Sequence, residues 1–213
     1  MKLYGYFRSS AAYRCRIAFN LKGLRPEFVS IHLREGKQRA PDFLKLNPQG
    51  LVPALEVDGR VLTQSLAIIE WLDETHPKPA FLPADALDRA HVRALALSIA
   101  ADIHPLQNLR VLKHLKTEYD QDQAGLDRWC RHWIEGGLAA FEATVVNSGK
   151  SGAFCFGDTP GLADICLVPQ MFSAARFGAD VSNLKTLQRI MKTCEALPAF
   201  ARAHPSAQPD AEA

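Results

Sequence analysis

Arg8-Ser9-Ser10 stands between a strand-like run, Lys2 to Phe7, and the helix-like Ala11-Ala12-Tyr13-Arg14-Cys15-Arg16-Ile17-Ala18-Phe19. A helix start carries backbone N–H groups without intrahelical partners and the positive end of the dipole, so it suits an anion. Anionic sulfur is one candidate. The hydroxyls of Ser9 and Ser10 are also ordinary helix caps. Arg8 is a solvated charge, or a planar grip for a carboxylate at the edge of a cleft. Gln64-Ser65 repeats the pattern, opening a helix directly after a strand. It reads as a Ser N-cap or as a second anion site holding a carboxylate. Val52-Pro53 lies where a strand begins. Proline there marks strand initiation, or a cis bond that turns the Val52 backbone outward to pair with a peptide-like ligand.

A third group lies in a long helical stretch, at Asp102-Ile103-His104-Pro105-Leu106-Gln107-Asn108-Leu109-Arg110. Pro105 implies a kink that frees backbone groups. Four-residue spacing places His104 and Asn108 on one helix face, while Arg110 points elsewhere. A structural histidine beside the kink is the plain alternative.

These pieces need a scaffold, and residues 1 to 77 alternate strand and helix in the manner of an α/β unit. Lys2–Phe7 is a strand and Ala11–Lys22 a helix stopped by Gly23. Pro26–His32 is extended, and Ala40–Leu46 is a short helix. Val52–Val57 and Arg60–Thr63 flank Asp58-Gly59, a hairpin signal. Ser65 to Thr75 closes the half as a helix. His76-Pro77-Lys78-Pro79-Ala80 cannot remain helical. Beyond Pro83, residues 83–213 read as helices over Asp85–Lys116, Asp122–Asn147, Gly161–Phe177 and Asn183–Ala196. Small polar residues over Ser206–Ala213 predict a fraying end. The order βαβαββα followed by a bundle is that of a thioredoxin-like N-terminal domain joined to an all-α domain.

Composition narrows the function. The 213 residues carry a formal net charge of +2 with basic residues scattered, which argues against nucleic acid or a membrane surface as partner. No apolar run approaches the ~20 residues of a membrane span. Five cysteines, an odd number without CxxC spacing, suit a reducing cytoplasm. The histidines form no metal-ligand cluster.

Taken together, Arg8-Ser9-Ser10 with Tyr13 to Ala18, Leu46-Asn47-Pro48 leading to Leu51-Val52-Pro53, Gln64 to Glu70, Leu106 to Leu109, Ala163 to Gln170 and Gln208-Pro209-Asp210 resemble the glutathione S-transferase superfamily, zeta class. The resemblance covers nearly the whole chain. It implies glutathione as coenzyme, a homodimer, and cis–trans isomerisation of a small dicarboxylate. That substrate is maleylacetoacetate in tyrosine breakdown or maleylpyruvate in gentisate pathways. Position by position, it implies that Ser9 or Ser10 bonds the sulfur and that Val52, with a cis Pro53, pairs with the cysteinyl backbone. Gln64 and Ser65 hold the γ-glutamyl end, Gln38 meets the glycine end, and His104 and Asn108 close over the coenzyme. Arg8, and after it Arg110, would grip the substrate carboxylate.

Two positions depart from the zeta pattern. Ala11 stands where a cysteine is usual, so any reacting sulfur must be borrowed. Gly161 stands where the superfamily commonly has a Ser/Thr cap, which predicts lower local stability on an unchanged fold. The competing readings are a transferase conjugating glutathione to electrophiles or α-halo acids, and a non-catalytic binding module of the same fold.

Overall fold

The computed structural model describes residues 1–212 and divides into two compact units: Met1–Phe81 with Glu195 onward, and Leu82–Cys194. The sequence predicts one all-α domain over residues 83–213; the described stretch after Cys194 instead groups with the first unit.

In the first unit four strands lie in the order β2-β1-β3-β4: β1 Lys2–Gly5, β2 Glu27–Ser30, β3 Ala54–Val57 and β4 Arg60–Thr63. β1 and β2 are parallel, which demands a crossover; α1, Ser10–Leu21, provides it. β3 runs antiparallel to both β1 and β4. The β3–β4 turn is the expected Asp58-Gly59, with φ of +48° and +73°. Two left-handed residues match the twist of a two-residue hairpin. The short helix α2 covers Pro41–Leu46, after a 3₁₀ turn at Lys37–Arg39, and α3 covers Ser65–Thr75.

Leu3, Ile17, Phe19, Leu55, Ile68, Ile69 and Leu72 form the core between the sheet, α1 and α3, each at most 2% exposed. A Cβ at Gly5 would lie 2.9 Å from the Phe28 ring and 3.3 Å from Ala12, so glycine lets α1 close on β1. The proline-rich joint is pinned from below. Lys22 Nζ donates to Asp73 (2.7 Å) and to the Pro79 carbonyl, while Asp73 accepts the Phe81 N–H at 2.9 Å. Both Val52–Pro53 and Lys78–Pro79 are cis.

The second unit is helical: α4 Ala86–Leu97, α5 Leu109–Glu118, α6 Gln123–Asn147, α7 Leu162–Phe177 and α8 Lys185–Glu195, whose last residue groups with the first unit. Asp85 caps α4 by accepting the Leu87 and Asp88 N–H groups, and Asp122 caps α6 through Gly125 N–H. Leu126, Cys130, Ile134, Leu138, Phe141 and Val145 make the buried stripe of α6. The Gly161 cap of α7 is half a capping box. Asp164 Oδ2 accepts Gly161 N–H (2.9 Å), and glycine returns nothing. The other oxygen accepts Cys155 N–H at 2.8 Å, tying down the preceding loop. Burial pushes the Asp164 carboxyl up, against the pull of these bonds.

Two expectations are corrected. The single helix Asp85–Lys116 is broken into α4, a π turn Ser98–Ile103, a 3₁₀ turn His104–Gln107, and α5. Proline at 105 lacks a donor and crowds the preceding turn. Asn108 then takes an extended conformation (φ −69°, ψ 144°) and caps α5 through Arg110 N–H, so the break is complete. Nor does the terminal stretch fray. After α9, Pro198–Ala203, Asp210 and Glu212 are bound to the end of β2 and to the segments that follow β1 and β2. Carboxylates accepting N–H and O–H groups outweigh the small, polar composition. Ala213 lies outside the described residues.

Candidate functional site

The strand register fixes the site before any side chain is considered. Gly5 pairs with Ser30, Tyr4 with Ala54, and Ala54 with Thr63. The ends of β1, β2 and β4 and the start of β3 therefore share one end of the sheet. Residues 6–10, 31–38, 52–53 and 64–65 all emerge there.

After β1 the chain makes a turn closed by Ser9 N–H on the Tyr6 carbonyl at 3.0 Å. Ser9 then caps α1, its Oγ accepting Ala12 N–H at 3.2 Å. Capping uses a lone pair and leaves the hydroxyl proton as a donor, so the cap and ligand roles are compatible. Ser9 is half-buried; Ser10, the first helical residue, is 8% exposed. Arg8 is half-buried, with its guanidinium 5.1 Å from the Phe7 ring centre. Burial raises the Tyr6 hydroxyl pKa, opposed by a hydrogen bond from Arg8.

Val52 precedes Ala54, the first paired residue of β3, so its amide and carbonyl stay outside the ladder. Gln64, not Ser65, is the N-cap of α3. It holds φ +68°, a conformation costing about 1–3 kcal/mol in a non-glycine residue and concentrated at functional sites. Its amide donates to Gln49 Oε1 at 3.1 Å. Ser65 is the first helical residue, 6% exposed, and its Oγ accepts from Arg14 Nη1 at 3.3 Å. A buried cation therefore stands behind the α3 start and reinforces its positive end.

Gln38 sits in the 3₁₀ turn after β2. Its Oε1 is buried without a hydrogen-bond partner, although a buried acceptor ordinarily has one. A ligand N–H from a peptide would satisfy it, and this is the observation on which a tripeptide coenzyme fits. The close approach behind it requires glycine. Gly50 has φ +60°, and a Cβ there would lie 2.9 Å from the Gln38 carbonyl.

Sequence reasoning assigned no role to Arg14, Arg16, Gln49 or Asp210. The signal for the arginines was present: charges inside an apolar stretch of α1, which the structure buries to 1% and 6% exposure. Burial lowers the Arg16 pKa to about 10, leaving it protonated at neutral pH.

In the helical unit, His104 opens the 3₁₀ turn and is half-buried, and Asn108 spends its Oδ1 on Arg110 N–H at 3.1 Å. The shared helix face expected for His104 and Asn108 does not exist, because the helix is interrupted between them. The Arg110 side chain is exposed. Trp129 Nε1 donates to the Leu106 carbonyl at 2.7 Å and fixes this segment on α6. A cleft of about 510 Å³ within the same unit, lined by Tyr119, Trp129 and Trp133, includes none of the residues identified from sequence.

All five cysteines are buried and none forms a disulfide. Burial raises the Cys130 thiol to about 11 and the Cys155 thiol well above its usual range. With Ala at position 11, none of these thiols is poised as a nucleophile.

Residues 8–75 match the family model described as "Glutathione S-transferase, N-terminal domain". The chain is 48% identical to a maleylpyruvate isomerase of Ralstonia sp over 99% of each chain. Among solved structures, the holo form of a maleylpyruvate isomerase, a bacterial zeta-class glutathione S-transferase, aligns with a TM-score of 0.98 and 47% identity over 100% of both chains. A maleylacetoacetate isomerase from Methylobacterium extorquens AM1, with bound malonate and glutathione, aligns with a TM-score of 0.96 and 43% identity over 100% of both.

Proposed function

The chain belongs to the zeta class of the glutathione S-transferase family, and from that premise we propose that it is a glutathione-dependent cis–trans isomerase of a maleyl-type dicarboxylate. Maleylacetoacetate and maleylpyruvate are both in scope, since relatives of each name align along the full chain. The observation that carries the reading is an anion-ready helix start beside which no protein thiol is exposed. The site is built to activate a sulfur brought by a ligand.

Bound glutathione supplies a thiolate that adds reversibly to the conjugated cis bond, permits rotation, and departs to leave the trans isomer. The chain's part begins with that thiolate. An ordinary thiol, near pKa ~8.5, is mostly protonated at neutral pH. The Ser9 hydroxyl donates to the sulfur, and the first-turn N–H groups of α1 add the dipole. Ser10, largely enclosed, is the weaker candidate. The Val52 amide and carbonyl pair with the cysteinyl backbone, Gln64, Ser65 and the α3 start hold the γ-glutamyl carboxylate, and Gln38 Oε1 accepts a glycine-end N–H. Arg8 holds a substrate carboxylate and the enolate charge that builds during addition, each charge-assisted bond contributing about 1.5–3 kcal/mol. Arg110 is second choice, because its side chain is exposed and its backbone serves the α5 cap.

Purified protein with saturating glutathione and each maleyl substrate gives rapid trans product. No turnover of either refutes the isomerase, and accumulation of a stable glutathionyl adduct points to the conjugating transferase instead. Arg8→Ala loses substrate binding and keeps glutathione; equal loss of both removes Arg8 from its role. We further propose a homodimer, checked by light scattering, in the cytoplasm, where free cysteines persist. No helix among the described residues is long and apolar enough to cross a membrane.

A further inference from the structure

The turn that carries Arg8 and Ser9 is clamped from both sides by charged groups. On one side, Asp210 Oδ2 accepts Phe7 N–H at 3.1 Å and the Ser30 hydroxyl at 2.8 Å. On the other, Arg16 Nη2 donates to the Phe7 carbonyl at 2.9 Å, Nη1 to the Tyr6 carbonyl at 3.4 Å, and Nε to the Ala203 carbonyl at 3.0 Å. Phe7 is 5% exposed and lies past Gly5, the last paired residue of β1, so the ladder offers its N–H no acceptor. A buried N–H must find one elsewhere.

Asp210 is that acceptor, and it arrives from 203 residues away in sequence. A group imported over that distance to one amide, next to the residues proposed to touch sulfur and substrate, does more than close a loop. Both Arg8 and Ser9 hang from the peptide that follows Phe7. Rotation of that peptide moves the guanidinium and the hydroxyl together. Hydrogen bonds weaken steeply with misalignment, and an ångström of misplacement costs catalysis heavily.

We propose that Asp210 is a positioning residue for the isomerase: it fixes the Phe7 amide and so sets the Arg8–Ser9 turn in the geometry that holds the thiolate. The proposal rests on the functional reading above. Glu212 anchors the same tail at a second place, through His32 at 2.6 Å and Arg34 at 2.9 Å, so the strap does not depend on Asp210 alone. Replacing Asp210 therefore loosens the turn and leaves the tail attached.

The sign of the effect separates positioning from simple electrostatics. Asp210 is a negative charge near the sulfur site, and removing a negative charge by itself favours a thiolate. Loss of positioning disfavours it. The test is an ultraviolet titration of the bound glutathione thiol in full-length wild type, Asp210→Ala, Asp210→Asn and Ser30→Ala, with kcat, KM and glutathione affinity measured alongside.

In Asp210→Ala the bound thiol pKa rises by about half a unit or more, roughly a threefold fall in the thiolate-to-thiol ratio, and kcat at neutral pH falls with it. Glutathione affinity stays within about twofold, because the Val52, Gln64 and Ser65 contacts are untouched. Asp210→Asn, whose amide oxygen still accepts, recovers most of the loss and remains informative should the alanine variant not fold. Ser30→Ala, which keeps the Phe7 bond, matches wild type. An unchanged or lowered thiol pKa in Asp210→Ala overturns the proposal, as does a rise in Asp210→Asn as large as that expected for Asp210→Ala, or an equal effect in Ser30→Ala. If wild type itself binds no glutathione, or binds it with an unshifted thiol, the functional reading falls first and the proposal with it.

Discussion

Ser9 serves two purposes with one hydroxyl, and they can be pulled apart. Its Oγ accepts Ala12 N–H at 3.2 Å and caps α1, while its proton remains for the coenzyme sulfur. Ser9→Ala removes both functions. Loss of the cap costs about 1 kcal/mol, which for a chain of this size lowers Tm by about 2–4 °C. Loss of a hydrogen bond to a charged acceptor costs about 1.5–3 kcal/mol. At about 1.36 kcal/mol per unit, that raises the bound thiol pKa by about 1–2 units. Ser9→Gly separates the two, because glycine is nearly as good a cap as serine, within a few tenths of a kcal/mol. The expected pattern is therefore a Tm that falls in Ser9→Ala and hardly moves in Ser9→Gly, with the same rise in thiol pKa in both. Thermal melts and thiolate absorbance titrations with saturating glutathione read the two quantities on one sample. An unshifted thiol in Ser9→Gly would refute the reasoning. If the shift appears in Ser10→Ala instead, the enclosed hydroxyl is the donor.

Three further outcomes follow from the helical unit and the cysteines. Asp164→Ala strands the Gly161 and Cys155 N–H groups, costs about 3 kcal/mol net and lowers Tm by about 6–12 °C; a fall of less than about 2 °C would count against the half-box as a structural tie. Because burial raises the folded Asp164 pKa above its ordinary 3.8, the wild-type advantage over Asp164→Ala is full below that value and narrows as pH rises through the folded pKa, read by urea melts across that range. Gly137→Ala drives a methyl into Ile103, and the overpacking exceeds the ~1 kcal/mol helix gain of alanine; a raised Tm contradicts this. Native protein without glutathione reacts with disulfide reagents only on unfolding, since every cysteine is buried; rapid labelling of any one contradicts the thiol-free site.

What could be read from the sequence was whatever local chemistry decides. Asp58-Gly59 gives a two-residue hairpin wherever it falls between apolar runs, and a helix that begins near Ser9 and stops at Gly23 needs only nearest neighbours. Pro105 was ambiguous because a proline either kinks a helix or ends it. The choice fell to Asn108, whose side chain can restart the helix as a cap, and so His104 and Asn108 lost their shared face. The Gln64 conformation has no residue signature, since glutamine is not a left-handed former; the β4–α3 joint imposes it. Asp210 was least legible. Its partners stand 180 and 203 residues upstream, and the composition around it pointed to a loose end.

The first unit is assembled from the two flanks of the chain, and this sets the order in which a ribosome can deliver it. The helical unit is one uninterrupted stretch, finished when Cys194 emerges. The sheet with α1 and α3 exists in sequence long before, yet the Arg16 Nε–H and the Asn20 side-chain amide on α1 find their carbonyl acceptors at Ala203 and Ala199 of α9. Until those residues are synthesised, a guanidinium destined for the interior must remain hydrated, and the Phe7 amide has no carboxylate. The nascent chain therefore completes its helical unit before the first unit, and the anion-binding turn acquires its final shape only after that unit has been made.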